Sequence, residues 1–402
     1  METKKGAEPH LKKQKKKRII REAFLKSAII VSCFLLFICI VSLVQKKPDF
    51  HSAEKETAQT PLPKEADEKT PDSSAQPLKA ASAKPQKDKK TTLVFAGDVY
   101  FSDYVLASYN QSGIDGVLEK DLLKEMKQAD LAMVNNEFPY STRGTQAPDK
   151  QFTFRIDPSY VSILLESGVD LVTLANNHVL DYGTDALRDT FQTLEEADIP
   201  YAGAGNSPAR ASKLIRKKVN GQTFGFLAAS RVFPDVSWNV ENAQPGVFSA
   251  YDPSKLVAAV SNARARCDFL CVYLHWGIER NTTPEEYQVS MAHALIDAGA
   301  DAVIGAHPHV LQGVELYKEK PIFYSLGNFI FYQNIDRTAV AKLTLSADHT
   351  AKWQLLAAKA SDCRTYLITD DAQRQSFYDD LTRLSVNVRF SKNGRIFAAD
   401  GT

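Results

Sequence analysis

Residues 269–309 read FLCVYLHWGIERNTTPEEYQVSMAHALIDAGADAVIGAHPH, and this stretch indicates the fold. It holds two short apolar runs, Phe269–Leu274 and Ala302–Ile304, on either side of a segment, 285–298, whose apolar residues recur with helical spacing. A Pro-Glu pair precedes the helical segment and a glycine follows it, as is typical of helix ends. The stretch therefore predicts two parallel strands joined by a helix.

The same alternation of strand and helix extends over residues 91–337 and predicts one α/β domain with a largely parallel core sheet. Residues 338–402 change pattern and are expected to complete this domain with two antiparallel strands, Ala339–Ser346 and Trp353–Ala358, and a helix near 371–385. The other predicted strands are Thr92–Ala96, Leu131–Val134, Leu171–Leu174, Thr223–Ala228 and Ile322–Ser325. The other predicted helices cover residues 116–129, 158–167, 184–197 and 253–265.

Polar side chains that can bind a metal follow six of the predicted strands. Because ligands bind beyond the carboxyl ends of strands in open α/β sheets, we expect these residues to meet at one rim. They are Asp98, Asn135 with Asn136 and Glu137, Asn176, Asn177 and His178 with Asp181 a turn later, His275, His307 with His309, and Asn328.

Each of these pieces alone is compatible with a turn, a surface loop, a helix cap or a core histidine. Their joint placement favours a shared site, since clustered ionisable groups in a cleft mark function. Imidazole together with carboxylate suits Mn, Zn or Fe, and carboxylate and amide oxygens alone would suit Mg. His293 lies on a predicted helix away from the strand ends and is read as structural, and the turn Gly203–Ser207 lacks the spacing of a nucleotide-binding loop.

The N-terminal segments predict a membrane anchor. Residues 27–44 read SAIIVSCFLLFICIVSLV, an uncharged run close to the ~20 residues that cross a bilayer. Residues 1–26 carry ten Lys/Arg against three acids, which places them in the cytoplasm and the rest of the chain outside. A cleaved signal peptide is the rival interpretation, but no small-x-small site follows the run. Lipidation at Cys33 is a weaker rival, because eleven uncharged residues follow that cysteine.

Residues 45–90 are rich in Pro, Lys and Glu and predict a disordered spacer between the membrane and the domain. The whole chain carries +1, so the domain at 91–402 carries about −8 once the basic N-terminal segments are set apart. The chain shows no nucleic-acid-binding motif. Cys267, Cys271 and Cys363 are too few for a disulfide framework, and the sequence leaves open whether any two of them form a bond.

The motifs resemble one known family. Asn176-Asn177-His178 with Asp181-Tyr182-Gly183, His307-Pro308-His309 and Tyr324-Ser325-Leu326-Gly327-Asn328-Phe329 are similar to the motifs of CapA-type poly-γ-glutamate capsule biosynthesis proteins. The resemblance covers about residues 92–331. It implies the layered α/β sandwich of the metallophosphoesterase superfamily.

The resemblance also implies roles for individual residues. Asp98, Glu137, Asn177, His275, His307 and His309 would bind a divalent metal, while His178 would be the leaving-group acid. Independently of the resemblance, the nearby Asp181 is a candidate carboxylate for orienting His178. Two positions depart from the phosphoesterase pattern, because Tyr100 stands where a second His ligand is expected and Glu137 stands near a bridging Asp.

Three functions follow as hypotheses. The first is a role in assembly, export or attachment of poly-γ-glutamate, with the polymer and other capsule-synthesis membrane proteins as partners. The second is a metal-dependent hydrolase acting on a phosphoester or on an amide of the polymer or cell wall. The third is a scaffold without catalysis, which Tyr100 favours. A domain of net charge −8 should repel a polyanion, and a metal or the basic patch Arg210, Lys213, Arg216, Lys217 and Lys218 could offset this.

Overall fold

The computed structural model describes residues 90–242 and 244–399. The predicted cytoplasmic tail (1–26), the predicted membrane segment (27–44) and all but the last residue of the predicted linker (45–90) lie outside these ranges. Within them, no helix has both the length and the apolar character needed to cross a bilayer.

Strands and helices alternate through most of the described chain, and antiparallel strands dominate its end. The strands are β1 (Thr91–Val99), β2 (Leu131–Asn136), β3 (Leu171–Thr173), β4 (Tyr201–Ala202), β5 (Ala204–Gly205), β6 (Ile215–Val219), β7 (Gln222–Ser230), β8 (Gly246–Val247), β9 (Phe269–His275), β10 (Ala302–Ala306), β11 (Val314–Tyr317), β12 (Lys320–Phe323), β13 (Asn328–Ile330), β14 (Ile335–Leu345), β15 (Ala351–Ser361), β16 (Arg364–Leu367), β17 (Val388–Phe390) and β18 (Ile396–Ala398). The α-helices are α1 (Asp103–Ser112), α2 (Lys120–Gln128), α3 (Val161–Glu166), α4 (Gly183–Glu196), α5 (Pro208–Ala211), α6 (Ser254–Arg264), α7 (Glu286–Asp297) and α8 (Asp371–Leu384).

The strands form two large mixed sheets. In the first, the order is β16-β15-β14-β1-β2-β3-β4, with β13 paired to the end of β1. Strands β1 to β4 run parallel, whereas β14, β15 and β16 are antiparallel. In the second, the order is β11-β12-β10-β9-β7-β6, with parallel strands in the middle and an antiparallel strand at each edge.

The expectation of a single, largely parallel core sheet is therefore corrected to two sheets. A buried strand reads as an apolar run whichever sheet it joins, because periodicity reports the strand and not its partner. The mixed α/β class predicted from the sequence is confirmed.

The core lies between the two sheets, and Trp353 of β15 stands at its centre. Its ring lies 6.0 Å from that of Phe95 in the same sheet and 5.2 Å from that of Phe323 in the second. The hydroxyl of Tyr273 crosses the layer and donates to the backbone oxygen of Ala96 at 2.6 Å. The sheets are thus held by aromatic packing and by buried hydrogen bonds, among them that of Thr91 in β1 to Gln222 in β7 at 3.1 Å.

Strand β9 shows how the layers are arranged. Phe269, Cys271 and Tyr273 face the core between the sheets, while the alternate side chains, including Val272, pack with the apolar residues of α6 and α7. This period-two division is expected for a strand buried on both faces. The second sheet therefore lies between the first sheet and a helical layer, as in a layered α/β sandwich.

The predicted elements differ from the observed ones mainly at their ends. The predicted strand Ile322–Ser325 starts and ends two residues early as β12, and the predicted helix 158–167 is shortened to α3 after a 3₁₀ turn. Helix α1 was not predicted, since its apolar residues have weak helical spacing. Cys267, Cys271 and Cys363 are free, so the disulfide that the sequence left open is not formed among them.

Candidate functional site

The first strand delivers Asp98 to a crowded backbone junction. Gly97 passes so close to the segment after β12 that a Cβ would lie 1.8 Å from the backbone oxygen of Gly327. The amide of Asp98 donates to that same oxygen at 3.0 Å. Glycine is therefore required here for β1 to pair with β13 and for the Asp98 carboxylate to enter the site.

Asp98, Glu137, His275 and His309 come together at the carboxyl ends of β1, β2, β9 and β10. Oε1 of Glu137 lies 3.5 Å from Nε2 of His275 and 3.9 Å from Nε2 of His309. Oδ2 of Asp98 lies 3.3 Å from Nδ1 of His309. The rings of His275 and His307 are 4.7 Å apart. Strand ends from both sheets thus supply one cluster, which we call the carboxylate–histidine cluster: Asp98, Glu137, His275, His307 and His309.

The donor atoms of this cluster are spaced for a cation. Three overlapping groups each place their donor atoms within 4.8 Å of one another: Glu137 with His275 and His307, Asp98 with Glu137 and His309, and Glu279 with His307 and His309. Glu279 was not predicted, because it is an exposed loop residue after β9 with no strand-end signal. Carboxylate and imidazole together suit Zn, Mn or Fe.

Glu137 is the side chain that most clearly fits a cation. Both of its carboxylate oxygens are buried, and neither has a hydrogen-bond partner among the described residues. Nδ1 of His307 is buried and unpartnered in the same way. Since a buried carboxylate without a hydrogen-bond donor is costly, the donor set and the burial both match a bound divalent ion.

Burial sets the protonation of the cluster in the absence of a metal. Burial, followed by the charge of Asp98, raises the pKa of Glu137 well above its usual value. Burial and the neighbouring histidines lower the pKa of His275 well below 6.5 and that of His307 to about 3. For His309, burial acts in the same direction, but the Glu137 and Asp98 carboxylates outweigh it and raise the pKa to about 10. His275 and His307 are therefore neutral at pH 7, as metal ligands must be.

A network of asparagine side chains positions the Asp98 carboxylate and the ring of His275. Asn176 Nδ2 donates to Asn135 Oδ1 at 3.0 Å, and Asn135 Nδ2 donates to Asp98 Oδ1 at 2.8 Å. The predicted ligand Asn177 joins the cluster through its Oδ1, which lies 2.8 Å from Nε2 of His275. Asn135 is one of the predicted strand-end residues but was given no ligand role, and its place here is to hold Asp98 by a hydrogen bond.

The predicted acid His178 forms a buried triad with two charged residues. Its Nδ1 donates to Oδ2 of Asp181 at 2.7 Å, while the other oxygen of Asp181 accepts from Lys150. Nζ of Lys150 also donates to the backbone oxygen of Asn177 at 2.5 Å. Burial lowers the pKa of His178, and Asp181 opposes that shift. Lys150 was missed because it lies in the loop between β2 and α3, where nothing in the local pattern marks it.

Tyr100, at the position where a second histidine ligand was expected, is part of an aromatic stack. Its ring lies 3.8 Å from that of Phe154 and 18° from parallel. Phe154 in turn stacks on His178 at 4.1 Å and 19°. Burial raises the pKa of the Tyr100 hydroxyl to about 12, so the phenol stays neutral. Tyr100 therefore supports the acid through Phe154.

His293 and the predicted basic patch both lie outside the carboxylate–histidine cluster. Nε2 of His293 lies 2.8 Å from Glu315, and its ring stacks on Tyr317 at 3.8 Å, in keeping with a structural role. In the predicted basic patch, Arg210 is not free, because its guanidinium covers the ring of Tyr201 at 3.9 Å. Lys213 and Arg216 instead line a separate cavity of about 1270 Å³.

Comparison with known proteins adds family information to this geometry. The family model described as "Bacterial capsule synthesis protein PGA_cap" matches residues 92–333. The matched range contains every residue of the carboxylate–histidine cluster as well as His178, Asp181 and Lys150.

Curated relatives match over most of their length. The capsule biosynthesis protein CapA of Bacillus anthracis is 31% identical over 313 residues, which are 75% of each chain. The PGA biosynthesis protein CapA of Bacillus subtilis is 32% identical over 301 residues, 73% of this chain and 77% of the relative. A probable polyglutamine synthesis accessory protein of Mycobacterium tuberculosis is 32% identical over 215 residues, 51% of this chain and 57% of the relative.

Proposed function

We propose that this chain, which belongs to the PGA_cap family of bacterial capsule synthesis proteins, acts in the biosynthesis of a poly-γ-glutamate capsule. The two CapA relatives support this assignment, since each is more than 30% identical over about three quarters of both chains. We further propose that the domain works outside the cell membrane, anchored by residues 27–44. The basic residues 1–26 and the uncharged run after them support that orientation.

The proposed functional centre is a divalent-metal site in the carboxylate–histidine cluster. The observation that carries it is the pair of buried, unpartnered carboxylate oxygens of Glu137. Asp98, His275, His307 and His309 would complete the donor set, and Asn177 would adjoin it. A cation there would supply Lewis acidity and neutralise negative charge on a bound substrate. It would also offset the repulsion between a domain of about −8 and an acidic polymer.

Binding of the polymer to the purified full-length chain tests this proposal. We expect a γ-linked glutamate oligomer to bind when Mn²⁺ or Zn²⁺ is present and to lose most of its affinity after chelation. Glu137→Gln should show the same loss without chelation, because it removes the central carboxylate and keeps the side-chain volume. Equal binding with and without metal would contradict the metal-dependent role.

A second candidate function is hydrolysis at this centre, and the His178–Asp181–Lys150 arrangement favours it. Asp181 accepts from Nδ1 of His178 and favours the charged imidazolium, whose second proton, on Nε2, would pass to a leaving group. Lys150 balances the buried carboxylate of Asp181. The bond cleaved would be an amide of the polymer or cell wall, or a phosphoester.

Replacing His178 separates hydrolysis from a scaffold role. We expect His178→Ala to abolish turnover and to leave the metal content of the protein unchanged. Loss of metal in this variant would make His178 a ligand instead of the acid. Purified protein without stoichiometric metal and without turnover would favour the non-catalytic scaffold.

A further inference from the structure

A cavity of about 410 Å³ opens directly beside the carboxylate–histidine cluster. His309 of the cluster lines it together with Asn328, and Nδ1 of His309 donates to Oδ1 of Asn328 at 2.8 Å. The volume lies within the ~300–1,000 Å³ that is usual for small-molecule sites. A molecule held in this cavity would therefore contact the cluster itself.

One wall of the cavity is apolar. Four buried apolar side chains contribute to the lining: Leu311, Ile335, and Phe377 and Leu381 of α8. Tyr332 is 43% exposed and also lines the cavity. Such a wall favours the methylene groups of a ligand over its charged groups.

Arg280 brings a positive charge to the cavity beside this apolar wall. Its backbone adopts a left-handed conformation, with φ 62°, and its amide donates to the oxygen of Pro308 at 2.8 Å. That bond ties Arg280 to the loop that carries His307 and His309. A bulky residue at positive φ is strained, and such strain is concentrated at functional sites.

Arg280 is also a cation without an acidic partner. In the part of the chain that the structure describes, its guanidinium makes no ion pair and no side-chain hydrogen bond. Arg337, in the same lining, is bonded to Asp380 and is therefore engaged. Asp336 is the acidic side chain of the lining, and no ion pair joins it to Arg280. An acidic group that enters the cavity would thus find its favourable contact at Arg280.

We propose that this cavity, the Arg280 subsite, binds one repeat of an acidic acyl chain next to the metal centre. Arg280 pairs with the free carboxylate of the repeat through the two-pronged geometry that guanidinium offers. The apolar wall packs against the methylene groups of the same repeat. A γ-linked glutamyl unit has both features, one free carboxylate and two methylenes. This inference rests on the proposed function, and it adds the position at which the polymer's charge is recognised.

The test uses the metal-loaded full-length protein and γ-linked glutamate oligomers of defined length. We expect Arg280→Gln to weaken binding about tenfold, the size of a lost charge-assisted contact. Arg280→Asn should behave alike, and because Asn tolerates positive φ, it separates binding from folding. Arg266→Gln removes the same charge from an exposed residue just after α6 that lines the other cavity, and this variant should bind normally.

A second ligand sharpens the test. In an oligomer whose free carboxylates are converted to amides, the Arg280→Gln substitution should have no further effect, because the contact it removes is already absent. A tenfold loss that persists with this ligand would overturn the subsite. So would an equal loss in Arg266→Gln, which would indicate long-range attraction. If the unaltered protein bound no oligomer at all, the proposed function would fail together with the subsite, whereas normal binding by both Arg280 variants would remove the subsite alone.

Discussion

The ring of Phe154 lies 4.1 Å from that of His178, and the backbone amide of Phe154 donates to Asp181 Oδ2 at 2.7 Å. Phe154, in the loop before α3, thus holds both His178 and Asp181, which we call the acid pair. Tyr100 stacks on the opposite face of Phe154, which fixes the ring from the other side.

Phe154→Leu should therefore impair the acid and spare the metal. The backbone contact to Asp181 remains, but His178 loses the flat surface that limits its rotation. We expect turnover to fall about ten- to hundredfold, as for other misplaced catalytic groups, with metal content unchanged. Phe233→Leu is the matched control, since that ring stacks on Tyr251 at 5.6 Å and belongs to no part of the acid pair. Equal effects in the two variants would show a general loss of packing.

Metal binding should stabilise the protein more at high pH than at low pH. In the metal-free protein His309 has a pKa raised from 6.5 to about 10, so its contribution to stability is full below pH 6.5 and is lost as the pH rises towards 10. The raised pKa of Glu137 acts in the same direction, because its charged form is disfavoured in the folded state. Binding of a cation requires both groups to be deprotonated. We expect the increase in melting temperature on adding Zn²⁺ or Mn²⁺ to be larger at pH 8.5 than at pH 6, and the reverse order would contradict a role for these two groups as ligands.

Glu137→Gln should stabilise the metal-free protein and abolish its response to metal. The substitution removes a buried carboxylate that has no donor among the described residues, and we expect a gain of roughly 1–3 kcal/mol in the free energy of unfolding. Thermal unfolding with a chelator and with added metal measures both effects. Glu315→Gln is a useful contrast, because that buried carboxylate accepts a hydrogen bond from Tyr324 at 2.6 Å. This substitution should lower the free energy of unfolding. Destabilisation of metal-free Glu137→Gln would show that the carboxylate is compensated without a cation.

Gly97→Ala should prevent correct folding of the site. The added Cβ would lie 1.8 Å from a backbone oxygen, and backbone cannot move aside as a flexible side chain can. We expect a loss above about 4 kcal/mol in the free energy of unfolding, measured by chemical denaturation. Gly221→Ala provides the scale, because its Cβ would meet nothing within 4 Å and the positive φ of 85° is what opposes it. This control substitution should lower the free energy of unfolding by only about 1 kcal/mol.

Arg280→Asn should leave the melting temperature unchanged or raise it slightly while weakening oligomer binding. Asn adopts a left-handed backbone more readily than Arg, so the strain at φ 62° is relieved. A gain of at most about 1 kcal/mol is expected. A clear drop in melting temperature would mean that the guanidinium stabilises the fold, and the loss of binding would then have a structural cause.

The sequence predicted the strand ends well because their chemistry and their periodicity agree. Asp98, Glu137 and His275 each follow a run of buried residues, and parallel strands bring such ends to one rim. Lys150 and Glu279 could not be predicted in this way, because neither stands directly at the end of a strand. Both lie on loops, and the position of a loop residue depends on long-range packing that no local pattern encodes.

The division of the strands into two sheets likewise could not be predicted from the sequence. Strands β3 and β7 both read as short apolar runs, yet β3 pairs with β2 in one sheet and β7 with β9 in the other. The short segment around β4 and β5 carries the chain from one layer to the other, with turns that resemble any other turn in composition. Which strands become neighbours is decided by the packing of residues such as Trp353, far along the chain.

The pairing of β1 with β14 has a consequence for the order of events during synthesis. Thr91 is aligned with Leu345, so the first described strand acquires this neighbour only after almost the whole domain has been made. Contacts of such large sequence separation slow folding, and until they form, an edge of β1 remains open to pairing with other chains. The domain should therefore depend on protection from aggregation while it is incomplete, and truncation before Leu345 should leave it insoluble.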